Sequence, residues 1–364
     1  MNVKQITDYI EELAPLAYAE EFDNVGLLVG DYNTEVKGIL ITLDTLENTI
    51  DEAISKKCNL IVSFHPIIFN GLKKINGKSY VERVVIKAIK NDIMIYATHT
   101  ALDNSHNGVS AKMCEVLGLT NKRVLIPQKG NIKKLTTYVP IQNAEKLRNS
   151  LFEAGAGNIG NYDHCSFNII GEGTYRGNEN SNPTIGEKNK LHTEKETFIS
   201  VIFEKHLESK LLRTLFKNHP YEEVAYDIVS LDNLHQNIGM GMLGELIEEL
   251  DIFEFLELLK KKFNLHMIRH SNILKNKIKK IALLGGSGSF AIQNAIEAGA
   301  DIFITSDLKY HDFYKAENKI ILADIGHYES EQFTKILLGD YLTKKFTNFA
   351  IILSENNTNP INYI

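Results

Sequence analysis

Short apolar runs alternate with amphipathic segments in the first third of the 364-residue chain. The runs have the length and composition of buried strands, whereas the segments repeat apolar residues with a helical period. The predicted strands and helices of this third are 38–44, 47–57, 59–65, 80–91, 93–99 and 108–119. Strands and helices in alternation favour a mostly parallel sheet with helices on its faces. Because the last third repeats the pattern, we expect both ends of the chain to form one α/β unit.

The middle of the chain has a different order of elements. Its apolar and amphipathic segments follow the order β-α-β-β-α-β, which is typical of a ferredoxin-like domain. A polar stretch at 177–196 predicts a long loop between the second and third strands. We therefore expect a compact domain at 133–233, inserted between the N-terminal part (1–132) and the C-terminal part (234–364) of the larger domain.

Composition excludes several classes of protein. The net charge of -6 disfavours nucleic acid as a partner, because binding to phosphates needs a basic surface. Three cysteines that lie far apart predict neither a disulfide framework nor a zinc motif. The N-terminus lacks the features of a signal peptide, and no apolar run is long enough to span a membrane. We expect a cytoplasmic protein.

Histidines and carboxylates follow several predicted strands. His65 ends one strand, His99 and Asp103 follow another, and His327 follows a third with Glu331 four residues later. Ligands tend to bind at the carboxyl ends of parallel strands, and residues at i and i+4 share one helix face. Each group alone has a structural explanation, as a hydrogen-bonded histidine or a solvated helix face. Their convergence at one sheet favours a site for zinc, iron or manganese.

Two further loops are ambiguous. Gly285–Phe290, with the sequence GGSGSF, fits either a tight strand-to-helix turn or a phosphate-binding loop. It lacks the spacing of known nucleotide motifs. The segment 305–314 carries Asp307 and His311, either as walls of the site or as an exposed loop.

Six stretches together resemble the NIF-three-like proteins, which are often labelled GTP cyclohydrolase type 2 homologues. The stretches are EEFDNVGLLVG, SFHPIIFNGLKKI, THTALDNSHNGVS, GGSGSF, ITSDLKYHDF and DIGHYESE. The middle section resembles the CutA/PII-like insertion of the long bacterial members. The resemblance implies two divalent metal ions per chain (zinc, iron or manganese), a homohexamer built as a trimer of dimers, and a nucleotide or another small-molecule ligand. The implied metal ligands are His65, Asp103, His327 and Glu331.

The chain departs from the family pattern at one position. Phe64 stands where the family's His-His-Pro motif has its first histidine, so one ion lacks a protein ligand unless His99 or His106 replaces it. The resemblance implies a metal-dependent hydrolase acting on a nucleotide or phosphorylated small molecule, with Glu331 bridging the ions. His99 or His311 would transfer protons. The alternative is a non-catalytic metal-binding protein or a regulatory hexameric assembly.

Overall fold

The computed structural model describes every residue from 1 to 364. The chain divides into two compact units, a larger one of Met1–Pro127 with Gln236–Ile364 and a smaller one of Gln128–His235. No helix has the length and apolar composition that crossing a membrane requires. All three cysteines are free.

The chain forms fifteen strands and eleven α-helices, with a few short 3-10 turns. The strands are β1 (Gly26–Val29), β2 (Ile39–Thr42), β3 (Leu60–Ser63), β4 (Met94–Ala97), β5 (Thr120–Gln128), β6 (Ile132–Pro140), β7 (Phe167–Tyr175), β8 (His192–Glu204), β9 (Tyr226–Leu231), β10 (His235–Asp251), β11 (Arg269–His270), β12 (Lys277–Ser287), β13 (Ile302–Ser306), β14 (Ile321–Asp324) and β15 (Ile351–Leu353). The helices are α1 (Val3–Leu13), α2 (Glu47–Ser55), α3 (Tyr80–Lys90), α4 (His99–Asp103), α5 (Val109–Leu117), α6 (Ile141–Glu153), α7 (Glu208–Asn218), α8 (Ile252–Phe263), α9 (Ile292–Glu297), α10 (His327–Glu331) and α11 (Thr334–Lys345).

The larger unit contains a five-stranded sheet in the order β1-β4-β3-β2-β15. All of its pairings are parallel except that of β1 with β4. Every residue of β2, β3 and β4 is buried, because apolar side chains pack on both faces of the sheet. Two-sided burial explains why these strands appear in the sequence as continuous apolar runs rather than as alternating ones.

A second sheet of the larger unit has six strands in the order β11-β14-β13-β12-β10-β5. Its centre, β12 to β14, is parallel, whereas β10 and β11 run antiparallel to their neighbours β12 and β14. Alternate residues of the central strands enter two separate apolar cores. The predicted mostly parallel α/β architecture is confirmed.

The predicted placement of the candidate residues at one sheet is wrong. His65 and His99 follow β3 and β4 of the five-stranded sheet, whereas His327 follows β14 of the six-stranded sheet. Each sheet contains strands of both terminal thirds, since β15 pairs with β2 in the five-stranded sheet and β5 is an edge strand of the six-stranded sheet. The sequence pattern missed β1 and β5, which are edge strands of the two sheets. Residues 329–346 do not form one continuous helix, since α10 ends at Glu331 and α11 begins at Thr334.

The smaller unit has the ferredoxin-like order β6-α6-β7-β8-α7-β9, as predicted. Its four-stranded sheet is antiparallel, in the order β7-β8-β6-β9, with both helices packed on one face. The predicted loop at 177–196 is too long, because β8 begins at His192. Its polar first residues pair with the end of β7, where His192 lies opposite Tyr175.

Candidate metal centre

Three side chains of the larger unit converge on one point. The nitrogen and oxygen ligand atoms of His65, His327 and Glu331 all lie within 4.8 Å of one another. Glu331 Oε2 is 3.1 Å from His65 Nε2 and 3.2 Å from His327 Nε2. The two Nε2 atoms are 3.4 Å apart. A two-histidine, one-carboxylate group of this kind is a ligand set for a transition metal.

The ends of two strands set these positions. His65 stands two residues beyond β3, where its backbone N–H donates to Leu43 O and Ser63 Oγ donates to its carbonyl. His327 begins α10 directly after Gly326, whose φ of +92° suits glycine. Glu331 lies one helical turn later and therefore faces the same side as His327.

A neighbouring aspartate orients each of the two histidines. His65 Nδ1 donates to Asp44 Oδ1 at 2.8 Å, and His327 Nδ1 donates to Asp307 Oδ2 at 2.6 Å. These bonds fix the tautomer and direct both Nε2 atoms towards Glu331. Carboxylate–histidine pairs with this arrangement are typical around metal ions in proteins. Sequence reasoning missed Asp44 altogether and left Asp307 with two interpretations, a wall of the site or part of an exposed loop.

The charges of this group fit a bound cation. Glu331 Oε2 is buried and makes no hydrogen bond of good geometry, although two imidazoles flank it. Burial raises the pKa of Glu331, but both histidines outweigh it and lower that pKa to about 2. Burial lowers the pKa of His65 and His327, and their carboxylate partners then raise each to about 10. The chain therefore offers an ionised carboxylate and two aligned imidazoles that would release their Nε2 protons to a bound ion, and these ligand atoms suit zinc, iron or manganese.

Asp103 lies outside this three-residue group. It ends α4, and it is close enough for its charge to interact with Glu331, His65 and His327. Burial raises its pKa well above the ordinary value, and the negative charge of Glu331 raises it further. An additional positive charge beside Asp103 would oppose both causes and lower the pKa of Asp103.

His99 has an aspartate partner as well. Its Nδ1 donates to Asp23 Oδ1 at 2.8 Å, and the backbone N–H of Thr100 donates to the other oxygen of Asp23 at 3.0 Å. The rings of His99 and His65 are 5.4 Å apart. His99 also has a left-handed backbone, with φ of +25°, which is a strained conformation for a residue with a side chain. Asp23 is not singled out by sequence reasoning.

Three other residues supply no ligand atom to the group. Phe64 is fully buried in the apolar core of the five-stranded sheet, with its ring 4.9 Å from that of His65. His106 is outside the group, with a buried Nδ1 that has no hydrogen-bond partner. His311 is exposed and its ring contacts Tyr310 and Tyr314. The structure therefore places neither histidine among the atoms that converge with Glu331.

The glycine-rich loop brings backbone close to the centre. Gly286 has φ of +70°, and a Cβ atom there would collide with the carboxylate of Glu331. Its N–H donates to Ser330 Oγ at 2.9 Å, so this amide is already used inside the protein. These contacts favour the tight-turn explanation of the loop, in which glycine allows α10 to approach β12.

Comparison with known proteins gives the family. The Duf34/NIF3 (NGG1p interacting factor 3) family model matches residues 1–360. The chain belongs to the NIF3 family. A curated NIF3-family relative, the GTP cyclohydrolase 1 type 2 homolog of Bacillus subtilis (strain 168), is 36% identical over 374 residues. The alignment covers 100% of this chain and 99% of that relative.

Solved structures of NIF3-related proteins have the same fold. The Bacillus cereus protein related to NIF3 matches with a TM-score of 0.87 and 36% identity, over 100% of this chain and 99% of that chain. A Staphylococcus aureus protein matches with a TM-score of 0.79 and 31% identity, over the same shares of the two chains. The resemblance predicted from sequence motifs is therefore confirmed over the full length.

Proposed function

We propose that this NIF3-family protein is a metal-dependent hydrolase with a dinuclear centre. The convergence of His65 Nε2, His327 Nε2 and Glu331 Oε2 carries the proposal, because two imidazoles and one carboxylate within 4.8 Å of one another form a ligand set for a transition metal. Asp44 and Asp307 support it, since each fixes a histidine in the tautomer that a metal ligand needs.

The ligands divide between two ions in this proposal. His65, His327 and Glu331 would hold one ion. Asp103 would hold the second ion, with Glu331 as the nearest further carboxylate, because the charges of Asp103 and Glu331 interact. Phe64 offers no ligand, so the second ion would have fewer protein ligands than the first.

The reaction would use the side chains around the centre. A divalent cation supplies Lewis-acid activation of water and of a substrate oxygen when bound. Asp44 and Asp307 keep the two imidazoles in place. His99 transfers a proton through Nε2, since Asp23 occupies its Nδ1. We assign this role to His99 rather than to His311, whose ring contacts are with Tyr310 and Tyr314.

The substrate class comes from the relatives. Curated relatives carry the name GTP cyclohydrolase 1 type 2 homolog. We therefore propose a nucleotide or another phosphorylated small molecule as substrate, with opening of the guanine ring of GTP as the first reaction to test.

A non-catalytic role is the second candidate. Phe64 favours it, because a fully buried phenylalanine fills a position that the family motif uses for histidine. In this case the protein would bind metal within a regulatory hexamer, a trimer of dimers. The mass of the protein in solution, measured by light scattering after size-exclusion chromatography, tests the hexamer.

Metal content tests the centre. The full chain, purified without chelator or affinity metal, is analysed by plasma mass spectrometry beside His327→Ala, Asp103→Ala and a control, His270→Ala, which removes an exposed histidine elsewhere. We expect two ions per chain, with the second lost in Asp103→Ala and the first weakened in His327→Ala. Absence of metal from every sample after reconstitution would refute the centre.

Turnover separates the two candidates. GTP and a nucleotide panel are incubated with the manganese-, zinc- or iron-loaded protein, and products are identified by mass spectrometry. A hydrolase consumes at least one nucleotide, and His99→Gln slows it while leaving metal content unchanged. Stoichiometric metal without turnover of any nucleotide would favour the regulatory role.

A further inference from the structure

The smaller unit contains a cavity of about 690 Å³. Volumes of this size are typical of small-molecule sites. The cavity lies on the face of the four-stranded sheet opposite the helices, because Tyr138 and Phe198 alternate with core residues such as Val139 and Ile199. It is therefore separate from the apolar core of this unit.

Glycines on β7 create the space above a carboxylate. Gly171 lies directly opposite Glu196 of β8, and Gly173 lies two residues further along the same face. A Cβ at Gly173 would collide with the carboxylate of Glu196, whereas a Cβ at Gly171 would enter open space. Because the chain carries no side chain at either position, Glu196 faces the cavity without obstruction.

Aromatic rings form the walls on either side of Glu196. The rings of Tyr138 and Phe198 are 5.5 Å apart, and those of Tyr175 and Tyr221 are 5.7 Å apart. The loop after β7 borders the cavity and is tied down, since the Tyr175 hydroxyl donates to Ile185 O at 2.9 Å. The walls are thus held by regular strands and an anchored loop.

Glu196 is a buried acid without a cation. Its exposed fraction is 8%, and no lysine, arginine or histidine lies within ion-pair distance of it. Burial raises the pKa of the Tyr221 hydroxyl, and the neighbouring carboxylate of Glu196 raises it further. Buried carboxylates are normally paired, because removal of an ion from water is costly. Glu196 therefore lacks a paired cation.

The remaining charges of the lining have the same sign. Glu172, Glu222 and Glu223 also border the cavity, whereas Arg176 is its single basic residue. This excess of negative charge disfavours phosphates and carboxylates as ligands. The aromatic faces, which carry negative quadrupole density, attract organic cations.

We propose that this cavity binds a small organic cation, an amine with an apolar or aromatic body. The ammonium group lies beside Glu196, and the body lies between the two aromatic pairs. The site is independent of the candidate metal centre, because all of its residues belong to the smaller unit.

Calorimetric titration of the full chain with three probes of similar shape tests the charge requirement. The probes are 2-phenylethylamine, the neutral 2-phenylethanol and the anionic phenylacetate. We expect the amine to bind at least about 10-fold more tightly than the alcohol, since a charge-assisted hydrogen bond and a cation–π contact are both lost. Phenylacetate is expected not to bind. Absence of binding by the amine, or equal affinity for amine and alcohol, would overturn the proposal.

Variants locate the site. Glu196→Gln keeps the shape of the side chain and is expected to remove the preference for the amine. Gly171→Val fills the open space and is expected to abolish binding of all probes, while a β-branched residue suits the strand. Glu153→Gln, at an exposed position of α6, is the matched control. If Glu196→Gln or Gly171→Val binds the amine as the unmodified chain does, the cavity is not the site.

Discussion

The two sheets of the larger unit each supply one histidine to the candidate centre, and they do so in the same way. In the five-stranded sheet, Asp44 follows β2 and His65 follows its parallel neighbour β3. In the six-stranded sheet, Asp307 follows β13 and His327 follows its parallel neighbour β14. Each sheet thus places an oriented imidazole at the carboxyl ends of its strands. The centre forms where two such edges meet, with Glu331 between them.

The His65–Asp44 pair is the five-stranded half of the centre, and the His327–Asp307 pair is the six-stranded half. The two halves differ in how exposed their side chains are. The side chains of His65 and Asp44 are 24% and 32% exposed, compared with 36% and 43% for His327 and Asp307. Asp44 also accepts a hydrogen bond of 2.7 Å from the buried Thr358. Asp307 has a left-handed backbone, with φ of +58°. The five-stranded half is therefore the more enclosed of the two.

Acidification is expected to weaken metal binding more than any substitution. Burial lowers the pKa of His65 and His327, but the surrounding carboxylates raise each to about 10 in the absence of a cation. Below that pH an incoming ion displaces one or two imidazole protons, so its apparent affinity falls by about 10- to 100-fold per pH unit.

Competition with a chelating dye between about pH 8 and about pH 6 measures this dependence. In the unmodified chain, His65 and His327 each release a proton when metal binds. His327→Ala removes one of these protons, so it should halve the slope of log affinity against pH. A flat profile for the unmodified chain would contradict the assignment of the two imidazoles as ligands.

Glu331→Gln is expected to cause the next largest loss. The variant keeps the shape of the side chain but removes the charge that both halves share. We expect metal affinity to fall at least about 100-fold, more than the usual effect of changing a residue behind the ligands. Glu257→Gln, at an exposed position of α8, is the control. Unchanged affinity in Glu331→Gln would mean that any bound metal lies elsewhere.

The sequence is sufficient to predict the strands that are buried on both faces. β2, β3 and β4 appear as apolar runs because helices cover both sides of the sheet. β10 was missed, since a register shift between Glu245 and Leu250 interrupts its pairing with β12 and hides any alternation. The division into two sheets was missed for a related reason, because it depends on long-range strand pairing rather than on local pattern.

The sequence also predicts which residues the structure brings together, but not what orients them. His65 ends a predicted strand, and His327 with Glu331 has the spacing of one helix face. The sequence does contain a pattern that marks Asp44 and Asp307. Each ends an apolar strand that comes directly before a strand ending in histidine. The significance of that order becomes visible only when the paired strands are known to be parallel neighbours.

Replacing each aspartate tests the difference between the halves. Asp44→Asn and Asp307→Asn both remove the charge that orients an imidazole, and losses of about 10- to 100-fold in metal affinity are expected. Asp44→Asn should have the larger effect, because its pair with His65 is the more enclosed. Isothermal titration with zinc compares the two variants directly. A larger loss in Asp307→Asn than in Asp44→Asn would show that the more exposed pair, rather than the enclosed one, controls metal affinity.

The smallest effect on zinc affinity is expected at the residues that donate hydrogen bonds to the two aspartates. Thr358 donates to Asp44 Oδ2, and Ser287 donates to Asp307. Thr358→Val is expected to weaken zinc binding by about 3- to 10-fold, since a buried hydrogen bond to a charged group is lost. Ser287→Ala should cost less, because water can replace a hydroxyl at the exposed Asp307. Thr343→Val, on α11, is the control for the loss of a threonine hydroxyl. Equal affinities for Thr358→Val and this control would mean that Asp44 needs no support from the C-terminal segment, and that the enclosure of the five-stranded half comes from strand packing alone.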